Sequence, residues 1–241
     1  MNAPQHDSQQ VKQFFDRWHL YQQIIAQDYM AHRGIHAALR AFVVEHLEQP
    51  FTLLDLGCGD ASAIANTFSG TALHGYTGVD LSPVALALAA DNLKAVAFAV
   101  RLVEADLTDY VGRTKGEQFD VVLLGFALHH LYTDEKRVFF QRCHTLLKPG
   151  GYLLLYDVFR RPHETRDQYL QAYFSYCTEH WTELSQDSLV GTRDHAYACD
   201  YPETYGTLAA LARDGGFIPP TLPLFADEPQ FHCLYSFQAE P

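Results

Sequence analysis

The sequence predicts a doubly wound α/β fold, and three observations carry the prediction. From Phe51 onward, short Val- and Leu-rich runs alternate with helical stretches, the pattern of strands buried on both faces of a parallel sheet with right-handed crossovers. Successive strand-like runs end in acids, at Asp55, Asp80 and the Glu104 to Asp106 stretch, where the carboxyl edge of such a sheet would gather them. The 241 residues are enough for one sizeable α/β domain with added caps, and too few for two full domains.

The elements follow in order. Phe14, Trp18, Tyr21 and Ile25, then Ile35, Leu39, Phe42 and Val43, recur at helical spacing, so residues 1–50 read as a helical N-terminal cap in which Gly34 bends or separates two helices and Pro50 ends the second. The core, residues 51–158, holds expected strands at Thr52–Leu56, His74–Asp80, Val100–Glu104, Phe119–Phe126 and Gly151–Asp157, with helices around Ser62–Phe68, Pro83–Leu93 and Asp134–Leu147. Residues 159–201, aromatic and polar by turns, interrupt the alternation and read as an inserted helical lid. Residues 202–241 then supply a helix near Glu203–Asp214 and strands near Phe217–Leu222 and Phe231–Gln238, an antiparallel C-terminal hairpin at the edge of a mostly parallel seven-stranded sheet.

Composition narrows the partners. A net charge of −12 without a long Lys/Arg run repels a phosphate backbone, which argues against nucleic acid. The five cysteines are scattered and form no CxxC pair, against both a disulfide framework and a structural zinc site. The polar start MNAPQHDSQQ has no apolar core of a signal peptide, and no apolar run reaches membrane-spanning length, so a cytoplasmic protein without a membrane partner is expected. Oligomeric state is not legible.

The glycine turn decides the ligand class. Asp55-Leu56-Gly57-Cys58-Gly59-Asp60-Ala61-Ser62 differs from the G-x-G-x-x-G turn that cradles a pyrophosphate, because acids flank both glycines. Carboxylates disfavour a pyrophosphate and favour a ligand carrying an ammonium and a sulfonium. Asp80, in GVDLSP about 20 residues downstream of the turn, is placed for ribose hydroxyls, since Ser82 before Pro83 is the better helix cap. Asp106, in EADL, suits an adenine amino group. Together these describe S-adenosylmethionine, with S-adenosylhomocysteine as product.

DLGCGDAS, GVDLSP, EADL, FDVVLLGFALHHL and LLKPGGYLLLYD occur in that order across about residues 51–157. The series resembles the motifs of class I S-adenosylmethionine-dependent methyltransferases of small-molecule type, which implies a Rossmann-like sheet. The resemblance further implies that Asp55, Gly57 and Gly59 line the methionine end of the cofactor. It has Asp80 holding the ribose, Leu81 packing on adenine, Asp106 and Leu107 reading the base, and Gly125 and Phe126 bordering the sulfonium. Ala61 stands where many relatives carry a third glycine, and is tolerable there with a negative φ.

The cap and lid are where such enzymes cover the acceptor. Tyr21, Arg33, Arg160, Tyr169, Tyr173 and Trp181 are the substrate candidates, with one of the arginines Arg160, Arg161 and Arg166 expected to meet an anionic group. His129, His130 and His195 are candidate catalytic bases, against the blander expectation that one of the adjacent pair packs or bonds to backbone. No metal is expected, because no Asp/Asn magnesium constellation is recognisable. The expected reaction is methyl transfer to an O or N atom of a small molecule. Its alternatives are a protein or nucleic-acid methyltransferase, disfavoured by GFAL in place of a [DNS]PP[YFW] run, and a non-catalytic S-adenosylmethionine-binding protein.

Overall fold

Five strands, β1 (Phe51–Leu56), β2 (Leu73–Asp80), β3 (Ala99–Glu104), β4 (Phe119–Gly125) and β5 (Leu147–Arg160), pair in parallel in the order β3-β2-β1-β4-β5 in the computed structural model, which describes residues 18–240. The expected helical start around Phe14 and the MNAPQHDSQQ segment lie outside the described residues. From β1 the chain winds outward to β2 and β3, then returns to place β4 on the other side of β1. The carboxyl ends of β1 and β4 therefore flank the switch point, the crevice where open α/β sheets bind ligands.

Burial explains the central strands. Leu53, Leu54, Val121, Val122, Leu123, Leu124, Leu153, Leu154 and Leu155 are fully buried, and their alternating side chains feed one hydrophobic cluster on each face of the sheet. Burying each such side chain contributes about 1.5–3 kcal/mol, and the continuous apolar runs were the signal for two-sided cover.

The far side of β5 is antiparallel. β9 (His232–Ala239) pairs with β5 and with the short β7 (Phe217–Ile218), extending the path to seven strands, while the two-residue β6 (Glu203–Thr204) and β8 (Phe225–Ala226) pair off that path with β5 and β9. The hairpin is present with one difference from expectation: β9 is inserted beside β5 and only β7 is at the edge. β7 stops after Ile218 because Pro219 and Pro220 follow, and proline has no N–H for a ladder. Lys148-Pro149-Gly150-Gly151 lies inside β5 as an irregularity, since Phe119 pairs with Leu147 but Val121 pairs with Tyr152, and Gly150 takes φ +76°.

Helices cover both faces: α1 (Trp18–Ala26), α2 (His32–His46), α3 (Ser62–Thr67), α4 (Pro83–Asn92), α5 (Leu107–Arg113), α6 (Thr133–Leu146), α7 (Arg166–His180), α8 (Gln186–Cys199) and α9 (Tyr205–Asp214). Ser82 caps α4, its Oγ accepting from Ala85 N at 3.3 Å with Pro83 in the first turn, as expected. Thr165 and Ser185 cap the lid helices α7 and α8 by the same chemistry.

Gly34 does not separate the cap helices. The break falls at Asp28 to Ala31, where both residues take positive φ, and Gly34 sits inside α2. A Cβ on Gly34 would lie 2.4 Å from the Phe225 ring, so glycine is required there for close packing against β8 rather than for a bend.

Candidate functional site

The glycine turn leaves β1 with Gly57, Gly59 and Ala61 at φ +74°, +55° and +49°. Ala61 thus departs from the expected negative φ: this buried alanine holds the left-handed conformation a glycine would adopt more readily. The turn is pinned to β2, because Gly57 N and Cys58 N both donate to Val79 O, at 2.8 and 3.0 Å. Asp80 adds the decisive clamp. Its Oδ2 accepts from Gly59 N and its Oδ1 from Ser82 N, both at 2.8 Å, so one carboxylate ties the turn to the start of α4.

A cleft opens beside the turn, lined by Tyr21, His36, Asp55, Gly57 to Ile64, Gly125 and Tyr156. Asp55 accepts from Tyr76 Oη at 2.8 Å. Burial pushes the Asp55 carboxyl up to about 7, against the opposing effect of that hydrogen bond. Asp55 and Asp60, both buried and with no arginine or lysine in the cleft lining, make it a fit for an ammonium and a sulfonium. Leu81 follows β2 half-buried. Asp106 caps α5 instead of standing free, its Oδ1 accepting from Thr108 N and Asp109 N at 2.8 and 3.2 Å, with Leu107 as the first residue of that helix.

Gly125 has to be glycine. A Cβ there would lie 2.0 Å from the Tyr156 ring, so Gly125→Ala must displace the tyrosine that floors the cleft. We expect this substitution to cost about 1–3 kcal/mol of stability by overpacking, read as a lowered midpoint in urea denaturation, and to weaken cofactor binding with it. Phe126, the next residue, is buried at φ +46°, a strained conformation for an aromatic residue, and its ring packs edge-on against Tyr156 and His32.

Phe126 lines a second cavity with Tyr21, Ile24, Met30, His129, His130, Val158, Tyr169, Tyr173, Phe174, Trp181, Thr192, His195, Ala196 and Asp200. Tyr21 lines both cavities, and the Gly125–Phe126 peptide contributes one residue to each. The two spaces therefore adjoin at the carboxyl end of β4.

The polar end of the second cavity is a histidine cluster. His129 Nδ1 meets Asp157 Oδ1 at 2.5 Å, and Asp157 Oδ2 accepts from His129 N at 3.0 Å, so the ring's orientation is fixed from β5. His129 Nε2 is 3.7 Å from Asp200 Oδ1, and His130 Nδ1 is 3.2 Å from the same oxygen. Burial lowers the His129 pKa, but Asp157 and Asp200 outweigh it and the net shift is upward. His130 is lowered, by burial and by the neighbouring His129. His195 is pulled down to about 4, chiefly by burial. His129, His130 and Asp200 present ligand atoms within 4.8 Å of one another, the one group among the described residues that could hold a metal ion.

Of the expected substrate residues, Tyr21, Tyr169, Tyr173 and Trp181 line the second cavity. The arginines do not. Arg33 donates to Ala26 O at 3.2 Å, Arg160 to Pro202 O and Glu203 Oε2, Arg161 to Pro229 O, and Arg166 to Ala196 O, Tyr197 O and Asp200 O. These guanidiniums fasten the cap, lid and C-terminal connection by satisfying backbone carbonyls, a role invisible in the sequence, and none of the four lines the second cavity. Asp157 and Asp200 were missed as site residues. The signal for Asp157 was present, since it is another acid near the carboxyl end of a parallel strand; for Asp200, which follows α8, there was none.

Residues 54–155 match the methyltransferase domain family. Carboxy-S-adenosyl-L-methionine synthase of Chromohalobacter salexigens is 30% identical over 130 residues, which make up 52% of this chain and 46% of that protein. The chain thus spans about half the length of that curated relative. Burkholderia thailandensis 1,6-didemethyltoxoflavin-N1-methyltransferase, solved with 1,6-didemethyltoxoflavin and S-adenosylhomocysteine bound, has a TM-score of 0.63 at 19% identity, covering 100% of this chain and 94% of that one. An O-methyltransferase family protein from Burkholderia thailandensis has a TM-score of 0.60 at 21% identity, covering 95% and 59%. At these identities the two structures speak for the fold. No helix among the described residues is long and apolar enough to cross a membrane. The match to the methyltransferase domain family thus falls on the part of the chain that carries the switch-point turn, and the sheet shares its fold with these methyltransferase structures.

Proposed function

We propose that this protein methylates an O or N atom of a small molecule, as a single cytoplasmic domain with neither nucleic acid nor membrane as partner. The supporting observation is the meeting of the acidic cleft and the aromatic cavity at Tyr21 and Gly125–Phe126, which would put donor and acceptor on either side of one peptide. S-adenosylmethionine, when bound, supplies a methyl group already activated by its sulfonium. Asp55, Gly57 and Gly59 would hold its methionine end, Asp80 and Leu81 its ribose and adenine, and Asp106 and Leu107 the base edge.

Transfer is an in-line displacement: the methyl carbon–sulfur bond breaks with its electron pair left on sulfur, and the acceptor's lone pair forms the new bond. The protein's work is to orient the acceptor about 3 Å from the methyl carbon and exclude water. An acceptor O–H or N–H must also lose a proton, and of the three candidate bases His129 is the best placed. Asp157 fixes its Nδ1 side and directs Nε2 toward Asp200 at the cavity wall. His130 and His195 have lowered pKa values and are weaker bases. Incubating the protein with S-adenosylmethionine and a panel of small hydroxylated and amino compounds tests the reading. Acceptor-dependent S-adenosylhomocysteine formation is expected, and turnover only on protein or nucleic acid would refute it.

Asp55 gives a pH signature. A carboxyl raised to about 7 is partly protonated in the free protein, and a cationic ligand beside it favours the carboxylate. Binding then releases a proton, so affinity rises with pH, by up to about tenfold per unit, below that value and levels off above it. Calorimetry in buffers of different ionisation enthalpy checks this. We also read the His129–Asp157–Asp200 group as a charge-compensated cluster that works without a metal, so dialysis against a chelator should leave turnover and melting temperature unchanged.

A further inference from the structure

The lid buries two hydrogen-bond donors that nothing among the described residues satisfies. Tyr169 Oη and Trp181 Nε1 have no hydrogen-bond partner among the described residues, although Tyr169 is 1% and Trp181 2% exposed. Most buried polar groups find partners, and an orphaned donor weakens the fold enough that two beside one cavity call for a reason. Both residues line the acceptor cavity.

The rest of the lining restricts what could answer them. Trp181 is stacked on Tyr29 at 5.1 Å and 7°, Tyr169 on Tyr173 at 5.6 Å and 13°, and Trp181 meets Tyr173 edge-on at 86°. These rings brace one another, so the wall offers flat, fixed apolar surfaces. Tyr173 Oη is already matched with His232 Nε2 at 3.0 Å, which leaves the other two as the unmatched aromatic donors of the cavity. Burial holds the Tyr169 phenol well above its ordinary pKa, so it stays protonated, and an indole N–H can only donate. The lining contains no lysine or arginine, so an anion would be buried unpaired, while a purely hydrocarbon ligand would leave both donors orphaned.

Resting on the methyltransferase reading, we propose that the acceptor is an uncharged planar heteroaromatic compound. Its carbonyl oxygens or ring nitrogens accept from Tyr169 Oη and Trp181 Nε1, and this pairing turns the atom to be methylated toward His129. The lid thereby reads the hydrogen-bonding edge of the acceptor, and the ring faces read its flatness.

Lumazine, a bicyclic heteroaromatic dione, and 2-naphthol, a bicycle with neither carbonyl nor ring nitrogen, are suitable probes. They are titrated calorimetrically into the full chain saturated with S-adenosylhomocysteine. Lumazine is expected to bind about tenfold or more tighter than 2-naphthol. Tyr169→Phe, which keeps the ring, and Trp181→Phe should each weaken lumazine about tenfold while leaving 2-naphthol and S-adenosylhomocysteine affinities unchanged. Equal affinity for the two probes, or equal losses for both in the variants, overturns the proposal by showing that the lid senses shape alone. Failure of S-adenosylhomocysteine to bind is a separate result that removes the donor reading, and the same two-probe comparison in the free protein still decides the acceptor class.

Discussion

His129→Asn lowers kcat/KM about 10²- to 10⁴-fold, the range for loss of a positioned general base, and leaves S-adenosylmethionine affinity nearly unchanged because His129 lies outside the donor cleft. The companion variant tests the mechanism more finely. Asp157 orients His129 through Nδ1 and, with Asp200, holds its pKa above the ordinary histidine value in spite of burial. His129 must be neutral to accept a proton, so the acid limb of the kcat/KM profile falls above the ordinary histidine pKa, with activity rising as pH rises through it. Asp157→Asn removes the raising charge, so the limb moves to lower pH while the plateau drops. A profile unmoved in Asp157→Asn would show that His129 does not carry the proton. The same shift enters stability. A histidine whose folded pKa is raised adds stability that is fully present below its unfolded pKa and is lost as pH rises through the folded one, so Asp157→Asn narrows the stability gap to wild type on the alkaline side.

Asp80→Ala is expected to raise the dissociation constant for S-adenosylmethionine about 5- to 150-fold, the loss of about 1–3 kcal/mol expected for a charged hydrogen-bond partner. Two effects combine. The carboxylate proposed to take the ribose is removed, and Gly59 N and Ser82 N lose the acceptor that fixes the turn and the start of α4. Asp80→Asn keeps one acceptor oxygen and should fall between wild type and Ala. Calorimetry measures all three, and an unchanged affinity in Asp80→Ala would remove the residue from the donor site.

The centre of this fold is legible in the sequence because local signals agree there. The fully buried strand at Val121–Leu124 is continuous and apolar, the glycines at 57 and 59 take the positive φ that their type suggests, and Ser82-Pro83 starts a helix as cap and first residue. Asp55 and Asp80 were recognisable because strand ends of a parallel sheet converge on one edge. What stayed hidden depends on contacts between distant segments. Gly34 resembles a breaker, yet its need is a ring at Phe225, far along the chain. The arginines at 160, 161 and 166 suggested an anion, but their partners are carbonyls at Pro202, Pro229 and around Asp200, which only the folded lid brings within reach. Ala61 at positive φ shows the opposite case, in which the turn's tertiary bonds override the residue's own preference. Asp200 joins the histidines only because α8 ends beside the turn after β4, where Tyr201 N donates to His129 O at 2.6 Å.

The central claim is that the donor's sulfur and the acceptor's reactive atom meet across Gly125–Phe126. A crystal structure of the protein with S-adenosylhomocysteine tests it most directly. The account predicts the sulfur at the junction of the two cavities, beside Tyr21 and facing the space lined by His129, Tyr169 and Trp181. A sulfur pointing to solvent, or an acidic cleft left empty by a cofactor bound elsewhere, would contradict it.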